Sequence, residues 1–399
     1  MSFFTTVASI CGTVYGISYW KIIRTFRLRL WLKLVLAVAV GALLVMPYAG
    51  VTLERRGHFD IAGPLASVGF VALVMTVWFC GLVVAAELWN VLVRLIGWAV
   101  RVRRAGDGAA SSGKKTSHRA LRPPRRTVMV LAVIAAVITA AGVINAYTIR
   151  QKDIVIPVPH LPDGRSELVV AQVTDLHLGL YERGGSRMRQ VIDLLERVKP
   201  DVILFTGDMI DSPLEHVNPY AEAFTHLEAP LGKYAVLGNH EMSRMADSDT
   251  AFSGVVDWYR RAGFRLLRQE SVRPAEGLLV AGVDDPPRER FLPRHFNELL
   301  ALADARPDDL VLFLVHTPPR DGEIHWAGQT MVQFAGHTHG GQIWPWHYLA
   351  KRHLPLLQGL YILSPGRYVY TNPGAGTWAP PVRLGANPEV AVFRFQKAR

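Results

Sequence analysis

The chain has 399 residues, half of them hydrophobic, with a formal net charge of +11. A single hydrophobic core rarely grows to that length, so a second kind of segment is expected. Residues 1–150 hold 18 of the 44 Lys and Arg but only 4 of the 33 Asp and Glu, which leaves the remainder weakly acidic and gives no reason to expect a nucleic-acid partner.

In chain order, four stretches near 2–20, 34–50, 64–86 and 127–147 each approach the roughly 20 apolar residues that a bilayer crossing takes. Lys21, Arg24, Arg27 and Arg29 follow the first stretch and no basic segment precedes it, which argues for a span over a cleaved signal peptide. Residues 87–100 stay apolar with Glu87, Asn90 and Arg94 on one side, as expected of a continued third helix or an interfacial one. Residues 101–126 then interleave basic side chains with Gly, Ser and Pro. The positive-inside rule puts that loop and the basic 21–33 segment in the cytoplasm, so four spans place both termini outside. The expectation is a multi-pass cell-membrane protein whose following domain is extracytoplasmic. Cys11 and Cys80 both lie in apolar runs, which leaves no disulfide for a solvent-exposed domain. The spans contain almost no ionisable residues, which speaks against a transporter.

From about 165 to the end, short β-branched runs alternate with amphipathic helical ones. Strands are expected near 168–173, 202–206, 234–237, 278–283, 310–315, 331–334, 368–371 and 390–395, and helices near 186–198, 219–227, 250–262 and 293–303. That alternation predicts a layered α/β domain whose late strands close a second, more antiparallel sheet. Polar residues collect at the C-terminal ends of the apolar runs, where loops converge to build sites: Asp175 and His177, Asp208, Asn239 and His240, His316, then His337 and His339. Imidazole and carboxylate together suit Zn, Mn or Fe. A lone Asp-x-His is more often a turn than a ligand pair, and the repetition of such groups is what favours metal. His160, His216, His226, His295, His325, His347 and His353 lack this context and are expected on the surface or in packing.

The segments VTDLHLG (173–179), FTGDMID (205–211), LGNHE (237–241), LVHTP (314–318) and AGHTHGGQ (335–342), in this order, resemble the calcineurin-like metallophosphoesterases, specifically the membrane-attached branch with a GHTHGGQ motif. The resemblance covers about the last 230 residues. It implies a four-layer α/β/β/α sandwich and two divalent metal ions, with Asp175, His177 and His339 on one, Asn239, His316 and His337 on the other, and Asp208 bridging them. Metal-activated hydroxide would attack a phosphoester, with His240 as the acid for the leaving oxygen and Glu241 a candidate to orient it. Only two carboxylates would face two dications, because Asn239 and four histidines are neutral. The surplus positive charge would attract a phosphate anion. Asp211 and Asp284 fit either a supporting role or ordinary turns. Residues 371–385, with Trp378 and Arg383, fit either a pocket wall meeting a substrate anion or a rigid surface loop. The expected function is hydrolysis of a phosphodiester or pyrophosphate link, in a lipid-linked or other envelope substrate. The alternative is a catalytically idle metal-binding membrane sensor or scaffold.

Overall fold

The computed structural model describes residues 3–106, 125–180, 185–245, 249–285, 294–319 and 328–398; most of the basic loop expected over 101–126 lies outside them. Four long helices open the chain: α1 (Phe3–Phe26), α2 (Leu30–Arg55), α3 (Phe59–Gly106) and α4 (Arg125–Ala146). Among the described residues α2, α3 and α4 are long and apolar enough to cross a membrane; α1 covers the first expected stretch as a helix but is not one of these three. Residues 87–100 continue α3 without a break. In hydrocarbon the backbone must bond to itself, and uninterrupted helix does that.

The chain divides into two units. One comprises residues 1–48 and 68–141, where Phe79, Val83, Val128 and Ala135 form a buried cluster and Lys21 pairs with Glu87. The other comprises residues 49–67 and 142–399 and carries two six-stranded sheets. The first sheet runs in the order β1 (Arg150–Val158), β12 (Glu389–Lys397), β2 (Glu167–Val173), β3 (Val202–Thr206), β4 (Lys233–Val236) and β5 (Arg265–Leu266). The second runs β10 (Gly359–Ser364), β11 (Arg367–Thr371), β9 (Thr330–Ala335), β8 (Leu310–Leu314), β7 (Leu278–Gly282) and β6 (Glu270–Ala275). Its centre is parallel and only its two edge pairs are antiparallel, while the last strand, β12, returns to the first sheet.

Period-two alternation sorts each strand between layers. Leu168, Val170, Val202 and Leu204 join Leu278, Val280, Leu310, Leu312 and Phe334 in the core between the sheets. Ala171, Val173, Ile203 and Phe205 face outward and pack with α5 (Ser186–Val198), α6 (Leu214–Ala221) and α8 (Asp249–Arg261). Leu279, Ala281, Val311 and Phe313 form the opposite outer layer with Ala301 of α9 (Arg294–Ala301). The result is the expected α/β/β/α order.

The end of α2, the start of α3 and the end of α4 belong to this second unit. Only Tyr147, Thr148 and Ile149 separate α4 from β1, an edge strand ahead of the expected domain start at 165 that pairs along its length with β12. Gly142 of α4 packs on Val382 and Leu384, and its carbonyl accepts Arg383 N–H at 2.9 Å. At the turn between α2 and α3, Gly63 lies on the Leu180 carbonyl, Phe59 stacks on His216 at 4.4 Å, and the buried Glu54 carboxylate accepts the Ser212 hydroxyl.

Candidate metal centre

Every expected ligand follows a strand of one of the two sheets, and the loops bring them together. Asp175 and His177 follow β2, Asp208 follows β3, and α7 (Asn239–Met245) begins with Asn239 and His240 directly after β4; His316 follows β8, and His337 and His339 follow β9. Asp175, His177, Asp208, His337 and His339 have φ between 49 and 69°, the left-handed region that side chains with a Cβ seldom occupy. Such conformations cost about 1–3 kcal/mol each and persist only where the surroundings hold them. Here Asp175 Oδ2 accepts Thr174 Oγ1 at 2.7 Å and His337 N at 2.9 Å, while Asp208 Oδ1 accepts His240 N at 2.9 Å.

Two groups of donor atoms result. His177 Nε2, His339 Nε2 and Asp175 Oδ1 stand 3.1, 3.5 and 3.9 Å apart. Around His316 Nε2, Asp208 Oδ2 and Asn239 Oδ1 each lie at 3.1 Å and His337 Nδ1 at 3.2 Å. Asp208 Oδ2 is also 4.0 Å from His177 Nε2, within reach of both groups.

His316 Nδ1 donates to the Thr206 carbonyl at 2.8 Å, which aims Nε2 at the Asp208 carboxylate; burial opposes a charge on this imidazole, yet the facing Asp208 holds it well above its ordinary value, and a cation would take the place of the Nε2 proton. Burial alone would raise the Asp208 carboxyl, but the facing His316, with His240 and His177, holds it well below the usual carboxylate range. Burial and then the neighbouring Arg383 push His339 well below its ordinary value and keep it neutral. His240 is opposed by burial, yet its hydrogen bond to Asp211 and the charges of Asp211 and Asp208 push it up to about 9.

The matched family model is the calcineurin-like phosphoesterase, over residues 168–341. An uncharacterized metallophosphoesterase of Aquifex aeolicus is 34% identical over 265 residues, 66% of this chain and 98% of its own. The chain belongs to the calcineurin-like phosphoesterases. Two relatives called transmembrane protein with metallophosphoesterase domain are similar as well: one from Danio rerio at 30% identity, covering 69% of this chain and 63% of its own, and one from Bos taurus at 29%, covering 76% and 68%. This calcineurin-like phosphoesterase is therefore a membrane-associated, metal-dependent phosphohydrolase.

The side chains suit the cations that the family requires. Donors bound about 2.1 Å from one ion stand roughly 3.0 to 3.4 Å apart in octahedral or tetrahedral arrangement, and most of the spacings above fall near that range. Imidazole nitrogens 3.1 Å apart, as in His177 and His339, can satisfy each other only through one proton, whereas a cation gives each a partner.

Two roles differ from the sequence expectation. Glu241 does not orient His240. Its carboxylate is fully buried and accepts the N–H groups of Asp208, Gly238 and Ile210 at 3.0, 3.0 and 2.9 Å, plus the Tyr259 hydroxyl at 3.1 Å. Asp211 is the partner: its Oδ1 lies 2.6 Å from His240 Nδ1 and its Oδ2 3.4 Å from His177 Nδ1. Arg383 cannot meet a substrate anion, because it is wholly buried behind the site, bonded to the Gly376 carbonyl and 3.0 Å from His339 Nδ1. Asp284 is a structural carboxylate, paired with Arg268 at 2.7 Å and bonded to Leu237 N. Tyr259 carries no sequence signal of its contact with Glu241, since it looks like any apolar position of α8. A cavity of about 430 Å³ opens over Asp208, Asn239, His240 and His337, walled by Trp346 and Trp378. Gln342 ties the walls together, its side-chain N–H donating to the Trp378 and Pro380 carbonyls.

Proposed function

We propose that this protein is a multi-pass membrane phosphoesterase that holds two divalent cations and hydrolyses a phosphodiester or pyrophosphate link in an envelope amphiphile. One ion would sit on Asp175, His177 and His339, the other on Asn239, His316 and His337, with Asp208 between them. Bound there, two divalent ions such as Mn, Zn or Fe supply Lewis acidity and lower the pKa of water. The observation that carries the reading is Asp208 Oδ2, 3.1 Å from His316 Nε2 and 4.0 Å from His177 Nε2, since it gives the two donor groups one shared carboxylate.

The chain's own residues do the rest. Asp211 holds His240 Nδ1, so His240 Nε2, 4.0 Å from Asp208 Oδ2, faces the pocket and carries a proton for the leaving oxygen. The hydrogen bond to Asp211 and that carboxylate's charge favour the protonated imidazole. Asn239, where an Asp would add a negative charge, leaves the loaded site net positive toward a phosphate anion. The domain is extracytoplasmic, on the strength of the basic segments assigned to the cytoplasm.

Purified full-length protein with a chromogenic phosphodiester and Mn or Zn tests the chemistry. Turnover that disappears with a chelator and with Asp208→Ala is expected; metal-independent turnover, or turnover indifferent to Asp208→Ala, refutes it. A reporter fused after Arg399 tests the side of the membrane.

A further inference from the structure

Beyond the last histidine motif the chain presents an apolar surface that none of the three sheet cores uses. Around the start of α10 (His347–His353), Trp346, Tyr348 and Leu349 are 50%, 63% and 52% exposed, and Lys351, Arg352 and His353 fill the last turn. Trp346 and Leu349, three apart, project to the same side of the helix. Trp346 also walls the pocket mouth together with the half-exposed Trp378. Aromatic rings with a polar edge, followed by Lys and Arg, are the composition of a membrane–water interface.

Position agrees with composition. Leu384 touches Gly142 of α4, and its carbonyl accepts the Trp344 N–H at 2.8 Å. Its neighbour Arg383 is bonded through its backbone to Gly142 O and to the Asn145 amide. The exposed segment therefore starts one backbone hydrogen bond from a loop fastened along the end of an apolar helix. Ile144, in that same helix end, is 69% exposed. An apolar face continuous with the end of a spanning helix, and flanked by cations, complements the acyl boundary and the anionic headgroups above it.

We infer that Trp346, Tyr348 and Leu349 dip into the headgroup–acyl boundary of the bilayer that α4 enters. Lys351 and Arg352 then meet anionic headgroups, and the mouth of the metal pocket opens at the lipid surface. The inference depends on the proposed function only for which pocket is served, and its test does not use turnover.

The full chain carrying Cys11→Ser, Cys80→Ser and Leu349→Cys is labelled with an NBD fluorophore and reconstituted in phosphatidylcholine–phosphatidylglycerol vesicles. Relative to the same label at Arg265→Cys, an exposed position on β5, emission at 349 is expected to shift to the blue. Lipids bearing a nitroxide high on the acyl chain should quench it about threefold more strongly. Equal emission and quenching at the two positions overturn the inference, as does blue emission without lipid quenching, which marks a protein cover. With both cysteines in place, photoactivatable phosphatidylglycerol should crosslink to residues 344–353 and do so about tenfold less in a Tyr348→Asp, Leu349→Asp double variant. An unchanged yield also overturns it.

Discussion

Replacing Asp211 with Asn removes one charge while keeping shape, and it separates support of the site from its first ring of donors. The carboxylate holds His240 Nδ1 at 2.6 Å and stands 3.4 Å from His177 Nδ1, so one side chain adjoins both the histidine proposed for the leaving group and a proposed metal ligand. A hydrogen bond to a charged group contributes about 1.5–3 kcal/mol. If that energy is expressed in the transition state, kcat/KM for a chromogenic phosphodiester falls about 10- to 150-fold. In a His240→Ala background the His240 part of the effect is already gone, so Asp211→Asn should cost much less there. Metal content, measured by elemental analysis at limiting Mn, should drop modestly through His177 alone. Full additivity of the two substitutions, or an Asp211→Asn variant within twofold of the natural chain, refutes the assignment of Asp211 as a positioning residue.

Three further outcomes follow from geometry. Glu241→Gln leaves two of four donors without an acceptor, so stability should fall by about 2–4 kcal/mol, read as a lowered thermal midpoint; an unchanged midpoint refutes the bonding described. Gly238→Ala puts a Cβ onto Asp208 Oδ1 and the Asp208 backbone, and the displaced carboxylate should cost about 100-fold in turnover together with bound metal; a metal-replete, active variant contradicts that. Asp309, buried under Arg273 and accepting Arg306 N at 2.8 Å, has its carboxyl held below the usual range against the pull of burial. Its stabilisation is present above the unfolded value near 4 and is lost as pH falls through the lower folded value, so Asp309→Asn should lower the thermal midpoint at pH 7 and converge with the natural chain in acid. A difference that stays constant with pH disproves it.

Much of this was legible in the sequence, for physical reasons. The central strands are fully buried on both faces and must be runs such as Val202-Ile-Leu-Phe-Thr, which nothing else in a polar loop imitates. The edges escaped: β1 begins with Arg150, Gln151, Lys152 and Asp153, all exposed, and β10 alternates irregularly on an open edge. The helix expected at 219–227 runs instead over Leu214–Ala221 with a 3-10 turn at Glu222–Phe224, because Pro213 marks its start and Pro219 sits inside. The ligand positions were readable because each motif ends an apolar run. The choice between Asp211 and Glu241 as the partner of His240 was not, since it depends on side-chain reach across two loops.

The hydrogen bond between Glu54 and Ser212 bears on how this enzyme is to be handled. Ser212 adjoins Asp211, and Glu54 belongs to the last turn of an apolar helix, so the loop that carries the proposed brace is tied to a helix end 158 residues earlier in the chain. A fragment cut at Arg150 for ease of purification would strip Glu54 from Ser212 and Phe59 from His216, exposing a seam beside Asp211. Those helix ends are thus part of the domain's masonry, and low activity in such a fragment would be a statement about the cut.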